Sequence, residues 1–115
     1  LSWFMRDRVD GAAVYVDPIL LDIGFAIGGW LAFFDLDATL VLTSGHRTKR
    51  RNSVLEGAAK DSEHIKGKAM DVRIPGVNSS QVAAFGRWLQ GGGIGWYPGK
   101  NFTHLDTGRL RFWKG

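Results

Sequence analysis

The chain has 115 residues, of which 44% are hydrophobic and 12% aromatic, and this size suits one domain over 1–115 with its own core rather than two. It has no cysteine, which excludes disulfides and leaves histidine and carboxylate side chains to hold any metal. The formal net charge of +4 favours an anionic partner, such as nucleic acid, a membrane surface or an acidic polymer of the cell wall.

The first half of the chain is dominated by one apolar segment. After a possible short strand at 13–16, Asp17 and Pro18 are typical of a helix start, and apolar residues at helical spacing predict a helix from Pro18 to about Phe34. A membrane span is the alternative interpretation, but a span needs about 20 apolar residues and tolerates an internal charge such as Asp22 poorly. We therefore expect a buried core helix and no transmembrane segment.

The remaining elements are shorter. Strands are predicted at 39–43, 69–74, 94–97, 102–106 and 110–113, a long polar loop over 46–62, and a second main helix that is capped by Ser79 and ends at Gly91–Gly93. Pro98-Gly99 is expected to join two of the strands as a hairpin. This order predicts an α+β fold with a small central, mainly antiparallel sheet and two main helices.

A histidine and an aspartate stand seven positions apart around a glycine. His64 enters a turn and Asp71 lies on the strand that follows, so both side chains can reach one point. Nitrogen and oxygen donors of this kind suit zinc. One pair at this spacing is common, and it needs support from elsewhere in the chain.

A second pair supplies that support. His104 and Asp106 share one face of a predicted strand, which makes a site with three ligands and a spare carboxylate. A catalytic zinc uses three protein ligands, an open position for water and a nearby base. The alternative is a set of unrelated surface histidines, and spacing alone leaves both interpretations open.

The densest positive charge follows the strand at 39–43. Arg47 projects from the end of that strand, where a guanidinium can bind a carboxylate or stabilise an oxyanion. The run 46–51 also resembles a short nucleic-acid patch. It has no interleaved aromatic residues, so a solvated loop is the favoured interpretation and no nucleic-acid partner is expected.

Several motifs in fixed order resemble one family. They are Ser44-Gly45-x-Arg47, Ser62-x-His64-x-x-Gly67-x-Ala69-x-Asp71-x-Arg73, Gly93-x-Gly95-x-Tyr97-Pro98, Phe102-x-His104-x-Asp106-x-Gly108 and Arg111-x-Trp113. Together they resemble the M15 zinc peptidases, in the small branch typified by murein endopeptidase K and the DUF882 proteins. The resemblance implies a hedgehog-like fold of the LAS metallopeptidases, bound Zn²⁺, and hydrolysis of peptide bonds in murein stem peptides or cross-links.

The resemblance also implies roles for individual residues. His64, Asp71 and His104 match the metal ligands, and Arg47 matches the arginine that holds substrate or polarises the scissile carbonyl. The base is open: Asp106 is preferred, an exchange of roles between Asp106 and His104 is the alternative, and Glu63 is a third candidate expected to face away. His46 departs from the family pattern, where an aromatic residue is usual.

The sequence therefore favours one function and leaves one alternative. The first is a zinc-dependent peptidoglycan hydrolase, either an endopeptidase or a carboxypeptidase, that is monomeric and works in the periplasm, the cell envelope or outside the cell. The alternative is a metal-stabilised module of the same fold that binds cell wall or protein without turnover. No targeting segment is visible, and we expect the chain to be a trimmed or mature form.

Overall fold

The computed structural model describes residues 2–37, 39–55 and 62–115. Its helices are α1 (Ile19–Phe33), α2 (Lys49–Ser53) and α3 (Ser79–Leu89), and its strands are β1 (Val41–Ser44), β2 (Ala69–Arg73), β3 (Gly93–Tyr97), β4 (Phe102–Asp106) and β5 (Arg111–Lys114). The strands form one sheet in the order β1-β2-β4-β3-β5. All neighbouring pairs are antiparallel except β3 and β5, which are parallel. The predicted α+β fold with a mainly antiparallel sheet and two main helices, α1 and α3, is confirmed.

Helix α1 begins one residue after the predicted start, with Pro18 at the N-cap position. The Asp17 carboxylate accepts a hydrogen bond from the backbone N–H of Ile19 at 3.0 Å, which satisfies one of the free donors of the first turn. Its buried positions recur every three or four residues, and they are Leu20, Ile23, Ile27 and Leu31. Across the described parts of the chain, the helices are all too short or too polar to cross a membrane.

The two faces of the sheet have different partners. One face presents Met70, Val72, Ile94 and Leu105, which pack with the buried residues of α1 and α3 into the hydrophobic core. Side chains alternate along a strand, so the intervening residues stand on the opposite face, away from the helices. That opposite face carries Asp71 and His104.

Three local predictions differ from the structure. Residues 13–16 form no strand, because they lie against the turn at Gly67, where a Cβ would be 2.5 Å from the Tyr15 carbonyl oxygen. The second main helix is capped by Asn78, whose side chain accepts from the N–H of Ser80, and not by Ser79. The loop predicted over 46–62 contains helix α2, and its part at 56–61 lies outside the described residues.

Candidate metal centre

Three side chains that the sequence singles out converge on the open face of the sheet. Asp71 on β2 and His104 on β4 are direct partners across the two strands, so their side chains stand beside each other. His64 reaches the same point from the turn before β2. All three residues are buried, and one donor atom from each lies within 4.8 Å of the others. This group could hold one metal ion.

In each of the two imidazole rings, the nitrogen that points away from the cluster is hydrogen-bonded to an acceptor outside it. His64 Nδ1 lies 2.7 Å from the carbonyl oxygen of Gly45, and His104 Nε2 lies 2.7 Å from a carboxylate oxygen of Asp106. These acceptors have no proton to give, so the two ring nitrogens are the donors. The other nitrogen of each ring therefore turns a lone pair toward the cluster.

The donor atoms inside the cluster are close together. His64 Nε2 and His104 Nδ1 are 3.2 Å apart, and Asp71 Oδ1 lies 3.2 Å from the first and 2.9 Å from the second. Three lone pairs at these distances repel one another unless a positive charge lies between them. Two imidazole nitrogens and one carboxylate oxygen are a donor set that suits zinc and leaves a fourth position open.

The pKa shifts in the cluster also indicate that a positive charge is stabilised there. Burial alone would lower the pKa of His104, but the adjacent carboxylates of Asp106 and Asp71 outweigh burial and raise that pKa. Burial alone would raise the pKa of Asp71, yet the adjacent rings of His104 and His64 hold it well below its usual range. The cluster therefore favours a carboxylate anion with a cation beside it.

Arg47 fixes the orientation of the Asp71 carboxylate. Its Nη2 donates to Asp71 Oδ2 at 3.2 Å, while its Nε donates to Ser44 Oγ at 3.3 Å. One carboxylate oxygen of Asp71 is thus committed to the guanidinium and the other faces the histidines. A bound carboxylate held in this way presents a single oxygen to an ion.

Both carboxylate oxygens of Asp106 accept hydrogen bonds. Oδ1 accepts from the N–H groups of Gly93 and Gly108, both at 2.9 Å, and Oδ2 accepts from His104. Arg111 donates to both oxygens, at 3.0 and 2.7 Å. The residue has 0% exposure. Burial alone would raise the pKa of Asp106, but these donors, His104 first, hold it well below its usual range.

A glycine on β3 makes room for an aromatic wall. Gly95 is the cross-strand partner of both His104 and Trp113, and a Cβ at Gly95 would lie 2.5 Å from the Trp113 ring. The Trp113 ring therefore occupies the space that a side chain at Gly95 would take, and its centroid lies 5.1 Å from that of His104. Its Nε1 donates to the Tyr97 hydroxyl at 2.9 Å, which fixes the ring beside the cluster.

A cavity of about 550 Å³ opens over the cluster. His64, Asp71 and His104 line its floor, and Trp113 and Glu63 line its walls. A cavity of this size, mixed in polarity and next to convergent donors, is typical of a ligand site.

The structure brings the predicted site residues together. His64, Asp71 and His104 form the cluster, Arg47 contacts Asp71, and Asp106 contacts His104. Their assignment as metal ligands and catalytic groups stays a prediction. Glu63, expected to face away, lines the cavity because 63–67 is a turn, in which neighbouring side chains are not restricted to opposite faces.

The remaining histidine and the basic run have other roles. His46 hydrogen-bonds through Nδ1 to the carbonyl oxygen of His64 at 3.1 Å and is not a member of the cluster. Within the run, Arg47 turns inward to Asp71, Arg50 pairs with Asp10, and Arg51 lines the cavity. The run is therefore divided among three environments and makes no continuous basic surface.

Two features of the site were missed from the sequence. Helix α2 places Arg51, and its signal was Thr48, whose side chain caps the helix by accepting from the N–H of Arg51 at 3.1 Å. The second feature is the pairing of Arg111 with Asp106, which needs β5 to lie parallel to β3. Sequence alternation gives the face of a strand but not its neighbour.

The chain is similar to known proteins of one peptidase family. A model of the family Peptidase_M15_2, described as "Peptidoglycan L,D-endopeptidase MepK", matches residues 1–113. The probable peptidoglycan L,D-endopeptidase MepK of Haemophilus influenzae is 38% identical over the whole chain, and peptidoglycan L,D-endopeptidase MepK of Escherichia coli K12 is 36% identical over 98% of it. The chain spans 63% of the length of each of these relatives. No solved structure matches it significantly.

Proposed function

The chain belongs to the M15_2 peptidase family of peptidoglycan L,D-endopeptidase MepK, and from this premise we propose that it is a zinc-dependent peptidoglycan endopeptidase domain. The observation that carries the proposal is the convergence of three lone pairs, from His64, Asp71 and His104, on the floor of an open cavity. The bond proposed for cleavage is an L,D-peptide bond of a murein cross-link, by analogy with the activity for which the relatives are named. The proposed location is the cell envelope, where that polymer lies, and the proposed form is a monomeric single domain.

Zinc fits the donors better than a harder cation does. Two of the three ligands are imidazole nitrogens, whereas magnesium and calcium prefer sites made of oxygen. When bound, the ion would supply Lewis acidity to a substrate carbonyl and would lower the pKa of a water molecule from about 15.7 toward 7. His64 and His104 would bind through Nε2 and Nδ1, because their other nitrogens are occupied by Gly45 and Asp106.

Arg47 is proposed to act on the substrate carbonyl as well as on Asp71. Its guanidinium lines the cavity, and its side chain is 17% exposed, which leaves part of its donor edge accessible. A guanidinium at that place can donate to the carbonyl oxygen as negative charge develops on it. This agrees with the role that the resemblance implies.

Asp106 is proposed to position His104, and this changes the role preferred from the sequence. A general base needs an oxygen that can reach the attacking water, within about 3.2 Å or through one intervening water. Both oxygens of Asp106 are occupied by donors, and the residue is fully buried. A carboxylate that holds the outer nitrogen of a histidine ligand fixes its ring and raises its basicity.

Glu63 is the proposed proton acceptor. Among the described residues, the carboxylates that line the cavity are those of Asp71 and Glu63, and Asp71 is a proposed metal ligand. The Glu63 side chain is 18% exposed. In the proposed reaction, water adds to the carbonyl carbon and gives a proton to Glu63. The carbon–nitrogen bond then breaks, and Glu63 returns the proton to the leaving amine.

The test is a digest of purified muropeptides by the metal-loaded protein, followed by mass spectrometry. We expect new peptide ends from a cross-link, loss of these products with a chelator, and their return with zinc. His64→Ala is expected to lose both stoichiometric zinc and the products. If His64→Ala cleaves as well as the wild type, the proposal is wrong, and zinc binding without any product would favour the non-catalytic binding module.

A further inference from the structure

The cavity is lined by more cationic side chains than are neutralised by ion pairs within the site. Two of the cations that line it, Arg47 and Arg111, are paired with Asp71 and Asp106. Three others also line it, and they are Arg51, Arg73 and Lys100. Within the described residues, none of these three forms a salt bridge, although the charge of Arg51 also acts on the Asp7 carboxylate. An excess of unpaired cations in a concave site attracts an anionic ligand.

Arg51 has an unfilled hydrogen-bonding position inside the protein. Its Nε is buried and has no hydrogen-bond partner among the described residues. Its backbone N–H is committed to Thr48, which holds the residue in the first turn of α2. A buried guanidinium N–H without an acceptor is costly, and a ligand oxygen would remove that cost.

Two of the unpaired cations, Arg73 and Lys100, lie toward one end of the cavity, and Arg51 lines it from α2. Arg73 stands on the same face as Asp71 and two residues further along β2, a distance of about 7 Å. Lys100 lies in the turn between β3 and β4, close in sequence to Phe102, which is at the same end of β4. Glu63 and Arg111 lie toward the opposite end, since a Cβ at Gly108 would be 3.2 Å from both Glu63 and Asp106.

We propose that Arg51, Arg73 and Lys100 form a carboxylate-binding subsite that recognises a free carboxylate of the substrate beside the scissile bond. This inference rests on the proposed function and adds to it the chemical class that determines substrate choice. A guanidinium binds a carboxylate through paired N–H groups, which gives both charge and direction. The subsite would orient the peptide with its anionic group toward these three cations and its scissile carbonyl over the cluster.

Two carboxylates of a murein stem peptide could fill the subsite, that of the glutamate and that of the diaminopimelate. The experiment separates them with three matched peptides: one with both carboxylates free, one amidated at glutamate and one amidated at diaminopimelate. Cleavage is measured as kcat/KM with the zinc-loaded protein, and binding of the same peptides is measured by calorimetry. Amidation at the recognised position is expected to lower wild-type kcat/KM about 10- to 100-fold, the range for a charged hydrogen bond.

The variants show whether the proposed residues cause the effect. Arg51→Gln is expected to lower kcat/KM for the free peptide by the same factor, and amidation should then cause little further loss. Arg50→Gln is the matched control, because Arg50 is the neighbouring residue on α2 and its side chain is 71% exposed. It should stay within about twofold of the wild type, as expected for an exposed charge. Arg73→Gln, at an exposed side chain, provides the same test if Arg51→Gln does not fold.

The outcomes separate failure of the inference from failure of the proposed function. Equal kcat/KM for all three peptides, or undiminished discrimination in both Arg51→Gln and Arg73→Gln, would overturn the subsite. A wild-type protein that cleaves none of the peptides would overturn the proposed function instead. In that case the calorimetric affinities still decide, because the subsite requires tighter binding of a free carboxylate than of its amide.

Discussion

Replacing Asp106 by asparagine tests how the outer ligand shell controls the metal centre. The change keeps the size of the side chain but replaces one acceptor oxygen by an NH₂ donor. Oδ1 can keep its bonds to Gly93 and Gly108, while the new amide faces Arg111 and His104, which both donate to Oδ2 in the wild type. His104 can satisfy that amide only by accepting at Nε2, and the ring proton then moves to Nδ1, the atom that faces Asp71.

The magnitude follows from this change of tautomer. Loss of an orienting partner of a metal-bound histidine lowers metal affinity by about 10- to 100-fold, so we expect the zinc Kd of Asp106→Asn to rise by that factor. Arg111 also loses its ion pair, but its side chain is 27% exposed and can be rehydrated. The loss of unfolding free energy should therefore be about 1–3 kcal/mol, below the 3–5 kcal/mol of a fully buried pair.

The assay is competition for zinc against a chromophoric chelator, with circular dichroism to show that the variant is folded. Glu63→Gln is the comparison, because the proposed proton acceptor lines the cavity but is not one of the three donors. It should keep the wild-type zinc Kd and lose kcat by about 10²- to 10⁴-fold, the usual contribution of a general base. The reasoning is refuted if Asp106→Asn binds zinc as tightly as the wild type and loses only kcat, since that is the behaviour of a base.

Two further predictions concern the scaffold around the site. Gly95→Ala should displace Trp113 from the strand and lower the unfolding free energy by about 1–3 kcal/mol, measured by denaturant titration with tryptophan fluorescence. Gly99→Ala is the control, because a Cβ at Gly99 would meet nothing within 4 Å. Equal losses of unfolding free energy in the two variants would contradict the proposed contact between Gly95 and Trp113. Burial alone would raise the pKa of Asp7, but backbone N–H groups of Thr48, Asp10 and Val9 and the charge of Arg51 outweigh it and lower that pKa. A carboxyl with a lowered folded-state pKa stabilises the fold above its unfolded value of about 3.9 and loses that contribution as the pH falls through the folded value. Asp7→Asn should therefore be about 1–3 kcal/mol less stable than the wild type at pH 7, and a stability difference that fails to shrink below about pH 4 would contradict the assignment.

The sequence predicted the part of the site that depends on strand alternation. A period of two over 69–73 and 102–106 places Asp71 and His104 on defined faces, and the observed register makes them direct partners. It could not predict what lies behind those side chains. Gly45, whose carbonyl holds His64, lies 19 residues before it in the chain, and Arg111, five residues after Asp106, turns back to it because β5 lies beside β3.

The prediction for Glu63 shows a second limit. The residue was expected to face away from the site because it stands directly beside His64 in the sequence, but both residues lie in a turn. In a turn, successive side chains are not restricted to opposite faces, so both can border one cavity. Helix α2 could not be distinguished from a loop in the polar stretch after β1. It has five residues and too few apolar positions to show a helical period.

The position of the cluster explains why its geometry depends on the sheet rather than on loops. Along one row of the sheet, Ser44, Asp71, His104, Gly95 and Trp113 follow one another across all five strands. A shift of one residue in any pairing would turn a member of this row to the helix-packed face. The hydrophobic core fixes that register. On β2, β3 and β4, the residues next to each row member along the strand point to the other face and are buried against α1 and α3. The energy of core packing thus holds two of the three proposed ligands in place before a metal binds, which is the preorganisation that a catalytic centre requires.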